Sequence, residues 1–219
     1  MPLDAADLSA LIGLCREEIE LHCEHLGRLD SAIGDGDHGA NMRRGLEAVY
    51  RERDAISVLP LPAALERIGL VLVMSIGGAA GPLYGTLLME LGRGLAARDL
   101  AARELAVREL DAREEETDFA AVLAVAVTAV ARRGRSGPGD KTLLDVLYPV
   151  QAELASHAAP VRIAECARLA ARGTEMMLAR RGRASYLGER SIGHEDPGAS
   201  SCALLTMTIC HYFKEQAPS

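Results

Sequence analysis

The sequence predicts an all-α protein of about eight helices, arranged as a bundle or barrel. Three observations predict it. The 219-residue chain is 49% apolar but only 3% aromatic, with no Trp. Its core must come from Leu, Ala, Val, Ile and Met, which suits close-packed helices better than sheets rich in β-branched and aromatic side chains. Apolar residues recur at helical spacing along most of the chain, and no stretch alternates cleanly with period two. Finally, 14 of the 21 glycines fall in four loops: 34, 36 and 39; 77, 78, 81 and 85; 134, 137 and 139; 182, 188, 193 and 198. Backbone free to approach a ligand at four loops points to one shared site at one end of the helices.

Taken in order, the first helix spans 5–27, with Leu8, Leu11, Ile12, Cys15, Ile19 and Leu26 on one face and acids opposite. Similar amphipathic patterns mark 42–53, 63–74, 83–95, 119–133, 143–156, 163–180 and 202–214. Residues 95–114 are different. They repeat every five residues as LAARD-LAARE-LAVRE-LDARE, so successive leucines stand about 140° apart on a helix and form no stripe. The segment is a strong helix former without a core face. It reads as a charged, solvated helical insertion at about 95–116 in a single domain covering 1–219; a partner-docking helix is the sharper alternative.

Charge and composition exclude several classes. Lys+Arg 24 against Asp+Glu 31 gives a net charge of −7, which argues against binding nucleic acid through phosphates. The longest run without a charge or Gly, 119–131, is too short for a membrane span. The N-terminus carries acids where a signal peptide needs bases. The five Cys form no CxxC pair and read as buried thiols of a reducing compartment, so the expected location is the cytoplasm.

The strongest chemical signal is LDSAIGDGDHGANM, residues 29–42. Asp30, Asp35 and Asp37 follow a D-x4-D-x-D spacing, and carboxylates this dense repel one another unless cations sit among them. An all-oxygen donor set suits Mg²⁺ before Zn²⁺. An EF-hand fails on register: counted from Asp35, position six is Ala40 and position twelve is Leu46, where Gly and Glu are needed. An acidic solvated turn is the competing reading; Asp30 and the following HGAN at a helix start weigh against it.

Three other stretches stand out. GRSGPGDKT, 134–142, misses the Walker A pattern by one residue, because Asp140 separates the second Gly from Lys141. An Ala/Val helix precedes it instead of a strand, so the P-loop fold is rejected while a nucleotide-contacting role for the loop survives. SIGGAAGPLYGT, 75–86, is a Gly-rich turn with Pro82 opening a helix, weak evidence for anion binding when taken alone. RASYLGERSIGHEDPGASS, 183–201, is a long loop dense in polar side chains, a length that points to function or disorder. His22, Cys23 and His25 diverge around their helix and read as structural, and Ser200–Ser201 lies in no nucleophile elbow.

DSAIGDGDHGANM, SIGGAAGPLYGT, GDKTLLDVLYP and RASYLGERSIGHEDPGASS, in this order, resemble the ADP-binding subunit L of dihydroxyacetone kinase, over about residues 5–213. The same domain forms the C-terminal part of single-chain ATP-dependent kinases. The resemblance implies a barrel of about eight antiparallel helices with the nucleotide in the loops at one end. It implies that Asp30, Asp35 and Asp37 hold two Mg²⁺ ions bridging the phosphates of ADP or ATP. His38, Gly39, Ala40 and Asn41 would contact phosphate. Ala79 and Ala80 would line the second loop, and Gly134 and Leu143 would bracket the GDKT loop near the adenine. Arg183, Asp196, Pro197 and Gly198 would complete the pocket. The implied partners are a dihydroxyacetone-binding subunit K and a phosphohistidine subunit M; a transcription regulator is a further partner within the family. The alternatives are an ATP-exchanging kinase subunit for another short ketose and a non-catalytic nucleotide-binding regulatory module. The five-residue repeat lengthens the chain between the second and third motifs.

Overall fold

The computed structural model describes residues 3–107 and 119–216. They are helical and contain no strand. The long helices are α1 (Ala5–Ile33), α2 (His38–Arg51), α4 (Leu61–Ser75), α5 (Ala80–Val107), α6 (Phe119–Gly134), α7 (Leu144–Ala155), α8 (Pro160–Gly173) and α9 (Pro197–Gln216). A five-residue α3 (Arg53–Ser57) lies in the connection between α2 and α4.

Each long helix packs on the next, from α1 through α2, α4, α5, α6, α7 and α8 to α9, and α9 returns to pack on α1. Burial follows the helical period. Leu8, Ile12, Ile19 and Leu26 of α1 meet Met42, Leu46 and Val49 of α2 and residues from every other long helix in one apolar cluster. Ala64, Ala126, Ala167 and Ala199 are completely buried, which places small residues at the contacts and keeps the axes close. Tyr84 is the only buried aromatic among the described residues. The α4–α5 contact is tighter still: a Cβ on Gly69 would lie 2.8 Å from the Gly85 carbonyl, and one on Gly85 would lie 2.7 Å from the Gly69 carbonyl.

At its start α1 is closed by a capping box. The Asp7 amide donates to Asp4 Oδ1 (2.8 Å) and the Asp4 amide donates to Asp7 Oδ2 (3.0 Å). Asp7 also accepts from the Tyr212 hydroxyl at 2.6 Å, tying the start of α1 to the end of α9.

Several boundaries differ from expectation. α1 runs to Ile33, so Asp30 belongs to its last turn and not to a loop. α2 begins at His38, directly after Asp37. α8 stops at Gly173 and not near 180: the Thr174 hydroxyl donates back to the Ala171 carbonyl (2.6 Å), and Met177 turns extended. The apolar residues 177–179 continue the helical period without being helical. In the 95–114 repeat, Leu95 is buried and Leu100 is 60% exposed, as a five-residue spacing requires. The helix continues to Val107, and the remainder of the repeat falls outside the described residues. Cys202 and Cys210 are buried, whereas Cys15, Cys23 and Cys166 are only half-buried; all five thiols are free. No described helix is long and apolar enough to cross a membrane.

Candidate active site

Counting the eight long helices, the connections α1–α2, α4–α5, α6–α7 and α8–α9 are the first, third, fifth and seventh. In an up-and-down arrangement alternate connections share an end, and all four line a single cleft. The eight helical patterns of the sequence give the same count, with the short α3 falling inside the second connection. The lining draws on the N-terminal turns of α2 (His38, Asn41), α5 (Ala80, Leu83, Tyr84) and α9 (Pro197, Gly198), and on Leu143, which caps α7. Helix N-termini carry unpaired amides and positive partial charge, an environment suited to a polyanion.

The acids stand at this end. One carboxylate oxygen from each of Asp30, Asp35 and Asp37 lies within 4.8 Å of the other two. Asp30 is 9% exposed and accepts from the His38 amide at 3.1 Å. Arg183 reaches across the cleft to pair with Asp35. Asp37 precedes α2 but makes no capping bond with its side chain, so its carboxylate stays free for another partner. Gly39 has a packing reason: a Cβ there would run into the Cys23 carbonyl of α1, and its absence lets α2 start against that helix.

Behind the acids runs a buried polar chain. His38 Nε2 and Ser201 Oγ lie 2.9 Å apart, and Tyr84 Oη and Ser201 Oγ 2.8 Å apart. Burial pulls the His38 imidazole below its ordinary pKa, with Asp30 and Asp37 opposing, and pushes the Tyr84 phenol well up. Both side chains are thereby held neutral near pH 7.

The GDKT loop is built around Asp145, which is buried at the start of α7. It accepts from the Gly139 amide (2.5 Å) and the Thr142 amide (2.8 Å). Lys141 has a positive φ of 63° and is 1% exposed. Its ammonium donates to the Ser191 carbonyl (2.5 Å) and the Met177 carbonyl (3.2 Å). Asp196 begins α9, accepting from the Ala199 amide at 2.7 Å. Burial raises its carboxyl to about 7, against the opposing pull of that amide and of Lys141. Arg44 holds Asn41 from behind at 2.5 Å and donates to the Ser75 carbonyl at 2.8 Å, joining α2 to the second loop.

Of the residues expected in the site, Asp30, Asp35, Asp37, His38, Asn41, Ala79, Ala80, Leu143, Arg183, Asp196, Pro197 and Gly198 all line the cleft. Gly39, Ala40 and Gly134 do not. Gly39 is buried against α1, Ala40 is exposed on the first turn of α2, and Gly134 packs behind Leu83, 3.4 Å from an added Cβ. The cleft also contains Gly77, Gly78, Tyr84, Lys141, Thr142, Arg181 and Gly182. Most of these sit inside motifs the sequence had marked, so proximity to the motif was the available signal. Tyr84 had none beyond its place in PLYGT.

A family model described as the DAK2 domain matches residues 32–211. The chain belongs to the DAK2 domain family. Within it, the chain is 35% identical over 223 residues to the PEP-dependent dihydroxyacetone kinase, ADP-binding subunit DhaL, of Escherichia coli (strain K12), covering 98% of this chain and 100% of that one. It is 34% identical to the PTS-dependent dihydroxyacetone kinase, ADP-binding subunit DhaL, of Lactococcus lactis subsp. lactis (strain IL1403), covering 90% and 92%. The DAK2 fold recurs in the dihydroxyacetone kinase from C. freundii in complex with AMP-PNP and Mg²⁺, at a TM-score of 0.71 and 20% identity. There the alignment takes in 96% of this chain and 34% of the kinase, so this chain spans about a third of that protein. The resemblance carried by four short motifs thus extends over nearly the whole chain.

Proposed function

We propose that this chain is the nucleotide-carrying, phosphoryl-transferring L subunit of a dihydroxyacetone kinase of the PEP-dependent type, working in the cytoplasm. Three carboxylates gathered at the mouth of a cleft lined by four helix connections are the observation that carries the reading. The donor set is all oxygen, compact and partly solvated, which fits Mg²⁺. Asp30, Asp35 and Asp37 would hold two such ions, whose chemistry when bound is to neutralise phosphate charge and clamp attacking and leaving oxygens.

The chain's own groups do the positioning. The His38 amide fixes the Asp30 carboxylate, and the Ser201–Tyr84 pair fixes the His38 ring. The α2 and α9 N-termini and Arg183 supply positive charge for phosphate. The apolar wall of Leu83 and Leu143 excludes water on one side. No step asks a side chain to become a nucleophile, as phosphoryl transfer is mainly alignment and electrostatics. The ketose would be held on a separate subunit K and the nucleotide recharged by a phosphohistidine subunit M. Residues 95–116 read as a solvated insertion in a single domain over 1–219.

Thermal melting with Mg²⁺ and ADP tests the site. At about 100 times Kd, ADP should raise stability by about 2.7 kcal/mol, and Asp35→Ala should abolish the shift; a normal shift in that variant overturns the metal assignment. Alone with dihydroxyacetone and ATP, the chain should give no turnover. Activity that appears on adding K and a phosphohistidine donor supports the PEP-dependent reading, and turnover by the isolated chain overturns it.

A further inference from the structure

Lys141 sits where a phosphate-binding lysine would be sought, yet its geometry assigns it other work. Its backbone is left-handed, at φ 63° in a residue other than Gly, a conformation that needs compensating interactions. Its side chain is 1% exposed. The ammonium donates to two main-chain carbonyls, Met177 and Ser191, that lie 36 and 50 positions further along the chain. Both belong to the connection between α8 and α9, which carries Arg181, Gly182, Arg183 and Ala184 to the cleft wall. Asp196 and Glu175 lie near enough to act on its charge.

The rest of this connection is tied down on either side of Lys141. The Arg180 amide donates to the Asp140 carbonyl (3.1 Å), the neighbour of Lys141. Arg181 pairs with Asp140 Oδ2 at 3.6 Å. The Ala179 amide donates to Ser191 Oγ (3.0 Å), folding the two halves of the connection onto each other beside the carbonyls that Lys141 binds.

We propose that Lys141 is a positioning residue: its buried ammonium staples the α8–α9 connection to the GDKT loop, so that the arginine-bearing wall of the nucleotide cleft is formed before nucleotide arrives. The proposal rests on the nucleotide reading of the cleft. It separates Lys141 from a P-loop lysine, because two of the three ammonium donors are already spent on carbonyls and the side chain is 1% exposed. A charged donor held by neutral carbonyls in a dry setting is costly to lose, since the acceptors are left unpaired.

The test compares wild type with Lys141→Met in the full chain. Limited trypsin digestion below the melting temperature reads cleavage after Arg180, Arg181 and Arg183 relative to cleavage after the remote, exposed Arg162. Titration with ADP and Mg²⁺ reads affinity. The expected result is at least a tenfold rise in the cleavage ratio together with at least a tenfold rise in Kd. An unchanged ratio with a lowered melting temperature marks a general core contact and overturns the proposal. A raised Kd with an unchanged ratio marks a direct phosphate ligand and overturns it too. A raised ratio with unchanged Kd removes the positioning role. If Lys141→Met does not fold, hydrogen exchange in wild type decides instead. The Ala179 and Arg180 amides should be protected at least 100-fold without ADP, and protection that appears only on adding ADP overturns the staple. If wild type binds no ADP, the nucleotide reading fails while the cleavage ratio still reports on the staple.

Discussion

Burial lifts the Asp196 carboxyl to about 7, although Lys141 and two α9 amides pull the other way. The sign of its effect on stability follows. Between the ordinary carboxyl pKa and about 7, the folded chain retains a proton the unfolded chain has lost, so stability falls as pH rises through that window. Replacing Asp196 by Asn removes the dependence while leaving an oxygen for the Ala199 amide. Melting curves from about pH 5 to pH 8 should therefore show Asp196→Asn gaining on wild type as pH rises; parallel curves would refute the shifted carboxyl. Ser201 gives a second check. It is completely buried and bridges His38 to Tyr84, so Ser201→Ala should cost about 1–3 kcal/mol in denaturant unfolding by leaving buried groups unpaired. The acids were legible in the sequence because they lie within eight positions of one another. Ser201, Tyr84 and Lys141 were not, because their partners are dozens of residues or more away and nothing local shows a lysine turned inward.

Among the elements, α4 and α5 meet through glycine. Gly85→Ala would force a Cβ against the Gly69 carbonyl and Val73, and should cost about 1–3 kcal/mol in denaturant unfolding; an unchanged midpoint would mean that the helices can separate freely. The far end of α5 behaves differently. From Ala80 at the cleft to Leu100, a straight helix rises about 30 Å, so the five-residue repeat begins well away from the nucleotide. Deleting residues 101–115 should leave ADP affinity unchanged; lost ADP binding would defeat the solvated reading, and retained binding with lost kinase activity would favour docking. The helices were legible from period and composition, their ends less so. α1 continues through Asp30 because Ile33 is buried against Ala179 and Ala184, a contact with no local signature. α8 ends early because Thr174 turns its hydroxyl back on the helix and also accepts the Asp196 amide at 2.9 Å.

On the scale of the whole molecule, the cleft belongs to no single segment. Its wall is assembled from four connections spread between Asp30 and Gly198, so it exists only when α9 has come back to α1. Glycine clustering made a shared site legible in the sequence; the reason for sharing, alternation of connections between two ends, rests on each long helix packing against the next, which no local pattern shows. The same alternation puts the start of α1 and the end of α9 at the end opposite the cleft, where the Tyr212 hydroxyl meets Asp7. The chain is thus nearly a loop with a seam, and the seam can be moved. A short flexible peptide joining the two ends, with new ends opened in the exposed α7–α8 connection at 156–159, would give a circular permutant with every helix contact and all four cleft connections intact. Such a permutant should bind ADP with unchanged affinity by titration. A cut in the 135–142 connection, at the other end, should abolish binding even though it severs no helix.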